Sequence, residues 1–153
     1  MKRVCLVCMG NICRSPMAEV VLRRTLAERG LGDVEVDSAG TGGWHAGEPM
    51  DERALATLAD HGYDGSAHRA RQFDAAWFAE RDLILVMDRD NLRAVRRLAP
   101  PGADVRLLRS FDPAAPEGAE VPDPYYGGRQ GFTDVLRMVE AACEGVAKHL
   151  EDH

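Results

Sequence analysis

Nine residues near the start of the chain, Cys8-Met9-Gly10-Asn11-Ile12-Cys13-Arg14-Ser15-Pro16, carry the side chains needed for covalent chemistry on an anion. Cys8 and Arg14 stand in a Cys-x5-Arg spacing. A loop of that length can curl until its backbone N–H groups converge on one anion at the positive end of a helix. Gly10 and Asn11 tolerate the left-handed backbone that such a curl requires. Arg14 would close the ring with a planar fork that matches two phosphate oxygens. The same donors favour the thiolate of Cys8, the nucleophilic form. That thiolate can attack phosphorus and form a phosphocysteine, while the ring of donors stabilises charge on the equatorial oxygens. Ser15 could donate its hydroxyl to the Cys8 sulfur and ease departure of the thiolate when water later attacks. The expected phosphate-binding loop is therefore Met9, Gly10, Asn11, Ile12, Cys13 and Ser15, between the nucleophile Cys8 and the clamp Arg14. The chemistry needs no metal, and neither a metal site nor a cofactor is expected. Cys5-x2-Cys8 could be half of a zinc site, but no second pair or suitably spaced histidine follows. Core packing is the expected role of Cys5.

Such a loop needs a strand before it and a helix after it. Residues 3–8 read as a short apolar strand. Residues 16–29 read as a helix, with Ser15 as its N-cap, Pro16 at its first position, and Gly30 and Gly32 beyond its end. Residues 34–38 alternate like a strand and lead into the loop Ala39-Gly40-Thr41-Gly42-Gly43. Residues 51–61 look helical. Leu83-Ile84-Leu85-Val86-Met87 is a continuous apolar run, the pattern of a parallel strand covered on both faces. A short helix over 90–98, a strand over 105–108 and a long closing helix over 131–150 complete the order. Strands alternating with helices imply an α/β fold, a parallel sheet wrapped by helices on both faces. In that architecture ligands sit beyond the carboxyl ends of strands near a switch point, and the first such end is Cys8.

The 153 residues suit one domain with one core, taken here as 1–153. Hydrophobic residues make up 45% and charged residues 29%, and the formal net charge is −6. That balance disfavours general binding to nucleic acid or to an anionic membrane, so an anionic substrate needs a local positive site. The opening Met1-Lys2-Arg3 followed by apolar residues mimics a signal peptide. Its apolar run stops after about six residues at Gly10-Asn11, shorter than a signal core requires. Three of the four cysteines crowd the N-terminus, which is no disulfide scaffold; free thiols and a cytoplasmic location are the expectation.

Cys8 to Pro16 closely resembles the signature of the low-molecular-weight protein tyrosine phosphatases. Asp37-Ser38-Ala39-Gly40-Thr41, His68-Arg69-Ala70-Arg71-Gln72, Met87-Asp88 with Asn91, and Asp123-Pro124-Tyr125-Tyr126-Gly127 resemble family segments in the family's order. The resemblance spans nearly the whole chain, and actinobacterial members look most alike. It implies a three-layer α/β/α fold with a central four-stranded parallel sheet, of the flavodoxin-like phosphotyrosine phosphatase I type. It also implies hydrolysis of phosphotyrosine in tyrosine-phosphorylated proteins, and inhibition by phosphate or other oxyanions. Asp123 would be the general acid, protonating the tyrosyl oxygen and later activating water, and Pro124 would stiffen its loop. Asp112-Pro113 is a rival dipeptide without the paired tyrosines and reads as a turn. Trp44, Tyr125 and Tyr126 would wall a slot deep enough for phosphotyrosine. Asn11, Ser38 and His68 resemble a network that holds the loop in shape. Asp88 would cap the helix that follows it, with ordering of Arg14 or of the loop as the alternative. Cys13, in the same loop as Cys8, is the expected redox partner: oxidation of Cys8 to a sulfenic acid, then a Cys8–Cys13 disulfide, would inactivate the protein reversibly. Members acting on phosphoarginine carry threonine at the position of Ile12, so isoleucine favours a flat ring.

Two other functions compete. A thiol-dependent arsenate reductase uses a similar loop, but relays its disulfide through cysteines in mid-chain, where this sequence has none between Cys13 and Cys143. A phosphotyrosine-binding module would need neither nucleophile nor acid. Arg89, Arg93, Arg96 and Arg97 recur at helical spacing and read as a solvated face, with docking of acidic phosphoproteins as the alternative.

Overall fold

Residues 2–152 are described in the computed structural model. Among them, four strands form one sheet: β1 (Arg3–Cys8), β2 (Glu35–Gly40), β3 (Leu83–Val86) and β4 (Val105–Leu107). Every pairing is parallel, and the order is β2-β1-β3-β4. The helices are α1 (Arg14–Glu28), α2 (Glu52–Asp60), α3 (Arg89–Leu98) and α4 (Arg129–Asp152), with short 3-10 turns at Ala75–Ala79 and Leu108–Phe111. This is the expected α/β/α arrangement.

The apolar runs in β1 and β3 exist because both sheet faces are covered. Val4, Leu6 and Cys8 alternate with Cys5 and Val7 between two separate cores, and Leu83 and Leu85 alternate with Ile84 and Val86. The larger core holds Met17, Val21 and Leu22 of α1, Leu58 of α2, and Phe132, Leu136 and Val139 of α4. The smaller joins Val95 of α3 to Phe73, whose ring meets Trp77 and Phe78 edge-on. Strand alternation turns Cys8 toward the α1 side. Cys5 is fully buried on the other side, as core packing requires. The sheet changes winding direction between β1 and β3, and Cys8 ends β1 opposite Gly40 of β2. A cleft opens at such a point because successive helices leave on opposite faces.

Several boundaries differ from the sequence reading. Helix α1 starts at Arg14 after Cys13, not after Ser15, and no side chain caps it. Ser15 is drawn inside the first turn, where its hydroxyl serves the loop. Pro16 is then the third helical residue, a place it tolerates because first-turn N–H groups lack intrahelical acceptors. Strand β2 runs on to Gly40, since the Gly40 N–H donates to Arg71 O at 2.8 Å and its carbonyl accepts from Phe73 N at 2.7 Å. Helix α4 begins two residues early, at Arg129. Along the outer edge of β2, Arg23 Nη2 donates to Val36 O at 2.6 Å and Arg71 Nε to Ser38 O at 3.1 Å. Far from Cys8, α4 approaches the Leu108–Phe111 turn so closely that a methyl on Gly145 would lie 1.8 Å from Phe111 O.

Candidate active site

The loop between β1 and α1 curls around the Cys8 sulfur. Asn11 holds the one positive φ among described residues other than glycine, 58°, which reverses the chain so that its own N–H donates to Cys8 Sγ at 3.3 Å. Ser15 Oγ lies 3.0 Å from the same sulfur and 3.4 Å from Ala39 O. Asn11 Nδ2 donates to Ser15 Oγ at 2.8 Å, so the hydroxyl proton is free to point at sulfur, the nearer acceptor. The uncapped start of α1 opens on the same space, and its dipole favours negative charge there.

Every polar atom of the buried Asn11 is engaged. Nδ2 also donates to Ser38 Oγ at 3.0 Å, Oδ1 accepts from Arg71 N at 3.0 Å, and the carbonyl accepts from His68 Nε2 at 2.7 Å. Because a carbonyl only accepts, Nε2 carries the proton. Burial pulls the His68 pKa down against this hydrogen bond, and the net direction is below its ordinary value. The Ser38 hydroxyl in turn donates to Glu19 Oε1 at 2.6 Å. The expected Asn11, Ser38 and His68 therefore meet. Glu19 and Arg71 join them; in the sequence Glu19 carries no mark and Arg71 only a place inside the His68-to-Gln72 segment.

Arg14 is 4% exposed at its side chain. Its Nη1 donates to Asp88 Oδ2 at 2.7 Å and to Val121 O at 3.0 Å, while Nη2 lies 3.8 Å from Asp123 Oδ2. Burial works against its charge, but Cys8, Asp88 and Asp123 outweigh burial and raise the guanidinium pKa. Asp88 meets both neighbours: Oδ2 accepts from Arg14, and Oδ1 accepts from Asn91 N at 2.7 Å at the cap of α3. Val121 is fixed in turn, its N–H donating to Met87 O at 2.8 Å.

A cavity of about 170 Å³ opens over the sulfur, lined by Cys8, Met9, Gly10, Ile12, Cys13, Arg14, His45, Asp123, Tyr125 and Tyr126. Asp123 Oδ1 accepts from Tyr125 N at 3.0 Å. The two tyrosine rings meet edge-on, with centroids 5.0 Å apart. Trp44 does not line this cavity. It is 72% exposed, and its ring lies against Gly42, where an added methyl would come within 1.8 Å of it. His45 lines the wall instead, its Nδ1 3.0 Å from Glu48 Oε2. Nothing in the spacing of His45 marks it in the sequence. Asp112 belongs to a different cleft, beside the end of α4, and its Oδ1 accepts from Ala114 N as a turn residue does. Burial, followed by the charges of Asp51, Cys8 and Asp123, pushes the Cys13 thiol well above its ordinary pKa. On α3, Arg89 reaches Gly118 O, Arg93 pairs with Asp90, and Arg96 reaches Val105 O. These partners fit a solvated face. A larger groove of about 640 Å³ runs beside β2, where Arg3 pairs with Glu35 and Arg81 with Asp37, and Cys8 is not part of it.

Known proteins share this fold and much of this sequence. The family model described as low molecular weight phosphotyrosine protein phosphatase matches residues 3–153. A low molecular weight protein-tyrosine-phosphatase of Streptomyces coelicolor is 60% identical over 149 residues, covering 94% of this chain and 90% of the relative. Low molecular weight protein-tyrosine phosphatase A of Mycobacterium tuberculosis is 48% identical, covering 94% and 88%. A crystal structure of a protein tyrosine phosphatase from Entamoeba histolytica superimposes with a TM-score of 0.94 at 34% identity, over 99% of this chain and 98% of that one. The chain belongs to the low molecular weight phosphotyrosine protein phosphatase family and is a phosphotyrosine phosphatase.

Proposed function

We propose that the protein removes phosphate from tyrosine side chains of proteins, and from small aryl phosphates, by two displacements at Cys8. In the first, the thiolate attacks phosphorus, and the phosphorus–oxygen bond to the tyrosyl ring breaks. Asp123 gives its proton to the departing oxygen, leaving a phosphocysteine and a free tyrosine. In the second, the Asp123 carboxylate takes a proton from water, the water oxygen attacks phosphorus, and inorganic phosphate departs from sulfur. Ser15 donates to the sulfur as it recovers its negative charge. The amides of residues 9–15 and the Arg14 fork hold the phosphoryl oxygens through both steps, where stabilisation of developing charge contributes most.

One observation carries this reading: Cys8, Arg14, Asp123 and the tyrosine pair line the same small cavity. The Tyr125 and Tyr126 rings standing above the sulfur suit a long flat substrate, and Ile12 in the wall suits a ring over a branched guanidine. The expected order of turnover is phosphotyrosine ahead of phosphoarginine and phosphoserine. Inorganic phosphate and other oxyanions should compete for the same donors. The deciding experiment is turnover of a small aryl phosphate by the parent protein and by Cys8→Ser and Asp123→Asn, with mass-spectrometric capture of the phosphoenzyme on Cys8. A phosphoenzyme at another residue would overturn the scheme.

Cys13 borders the same cavity as Cys8, which supports reversible closure of a Cys8–Cys13 disulfide after peroxide converts Cys8 to a sulfenic acid. The Cys13 sulfur attacks that sulfenic sulfur and hydroxide leaves as water; a thiol reductant later restores both groups. If Cys13→Ser recovers after peroxide and thiol treatment as fully as the parent, this protective role is wrong. The proposed setting is the cytoplasm, with tyrosine-phosphorylated proteins as partners and no affinity for nucleic acid or membrane. No helix among the described residues is long and apolar enough to cross a membrane.

A further inference from the structure

The general acid is bracketed by two backbone anchors. Before it, Val121 is held by Arg14 and Met87. After it, the Tyr125 carbonyl accepts from Arg53 Nη1 at 2.9 Å, while the N–H of the same residue donates to Asp123 Oδ1. Arg53 therefore grips one side of Tyr125 and Asp123 depends on the other.

Arg53 is itself held firmly. Its Nε and Nη2 donate to the two oxygens of Asp51, at 3.1 Å and 3.0 Å, in a two-point fork. Its guanidinium lies 5.2 Å from the Tyr125 ring centroid and 4.7 Å from that of the buried Phe132. Asp51 caps α2 by accepting from Arg53 N, and its own N–H donates to Ile12 O at 2.9 Å. Burial pushes the Asp51 carboxyl up, yet the hydrogen bonds and charge of Arg53 hold it below its ordinary value. A continuous chain of contacts thus runs from the phosphate loop at Ile12, through Asp51 and Arg53, to Tyr125 and Asp123. Two planar groups in a fork, backed by aromatic rings, have little freedom to slip.

We propose that Arg53, seated by Asp51, is a positioning residue that sets the Asp123 carboxyl relative to the phosphate loop, so that its Oδ1 is occupied by Tyr125 and its Oδ2 is turned to the leaving oxygen. Arg53 touches neither phosphate nor leaving group. This inference rests on the reading of Asp123 as general acid. A misplaced acid slows departure of a basic phenolate far more than that of an acidic one, which needs no proton.

The test measures kcat/KM for aryl phosphates whose phenols range from one as basic as tyrosine to a strongly acidic dinitrophenol. Ratios within one preparation are independent of how much protein is folded. Arg53→Ala is expected to lower kcat/KM for phenyl phosphate about tenfold and for dinitrophenyl phosphate less than about twofold, a share of the roughly 10²–10⁴ that general acids supply. Asp51→Asn, which keeps the α2 cap, should change the ratio in the same direction by less, and Arg53→Lys should restore part of it. In an Asp123→Asn background, Arg53→Ala should leave the ratio where Asp123→Asn has already put it. An equal loss across all leaving groups, or a further change of ratio in that background, overturns the inference while leaving Asp123 as the acid. A ratio unmoved by Asp123→Asn itself overturns the acid assignment and the inference together.

Discussion

Residues 8–15 and residues 121–127 face each other across one cavity, yet Asn11 is fully buried while Tyr126 is 91% exposed. On the floor, Cys8, Asn11, Ser15 and Ser38 answer one another through hydrogen bonds inside the sheet's edge, and Arg14 lies under the surface. On the wall, Asp123 and two tyrosines stand on a loop whose anchors are backbone atoms held by distant arginines. The floor must present donors at fixed distances to a group of one shape, phosphoryl. The wall must meet whatever phenol and polypeptide surround that group. Rigidity is concentrated where the substrate never varies, and exposure where it does, in keeping with the general division between scaffold and loop.

That contrast can be broken most severely at the sulfur. Cys8→Ser should reduce hydrolysis of any aryl phosphate to background in a steady-state assay, whatever the leaving group, because no covalent intermediate can form. Asp123→Asn, on the wall, should lower kcat/KM for phenyl phosphate by about 10²–10⁴ and far less for an acidic phenol. A loss independent of leaving group would show the wall to be as indifferent to substrate as the floor. Next comes the floor's keystone. Asn11→Ala removes two donated bonds and one accepted bond and leaves a β-carbon without local hydrogen bonds at positive φ. It should destabilise the fold by about 2–4 kcal/mol in urea titrations, with Asn11→Gly losing less because the backbone strain is relieved. Gly145→Ala serves as a counterpart remote from both regions. Its clash with Phe111 O should lower stability by about 1–3 kcal/mol, with kcat/KM of the folded protein unchanged.

The smallest effect is expected from protons. His68 is held below its ordinary pKa, chiefly by burial. Once pH falls below about 6.5, the unfolded chain binds a proton that the folded chain refuses. Stability from this group is therefore complete above that pH and lost as pH falls toward the folded value. Melting curves between about pH 7 and pH 5 should show a steeper decline in the parent than in His68→Gln, which can still donate to Asn11 O. Equal slopes would mean that His68 is not a buried neutral donor.

The floor was legible in the sequence because its chemistry is local. Cys8, Gly10, Asn11, Arg14 and Ser15 fall within one turn of chain, and each residue type has a stated reason to be there. Even so, Ser15 looked like a helix cap, since Ser before Pro at a helix start has that signature; the competing demand of the Cys8 sulfur won. The wall was legible only through resemblance, since an Asp-Pro pair occurs at both Asp112 and Asp123 and the tyrosines after Asp123 gain meaning only from the family segment. Val121 escaped notice because it acts through a backbone carbonyl, which every residue has. Arg53 and Glu19 escaped because their partners lie far away in the chain, and Trp44 because its fold back onto Gly42 depends on a loop conformation that composition does not encode.

The two arginines lying over β2 have a further consequence. An outermost strand with idle carbonyls is a template on which a stray chain can add itself, the first step toward fibres or runaway association. Here Val36 O and Ser38 O already receive Arg23 and Arg71, and Arg71 is tethered to Asp37 and to the Trp77 ring. A visiting strand would have to evict both guanidinium groups before finding an acceptor. The sheet thus ends at β2 with outward carbonyls already taken, and the same Arg71 whose backbone N–H donates to Asn11 Oδ1 fills one of them.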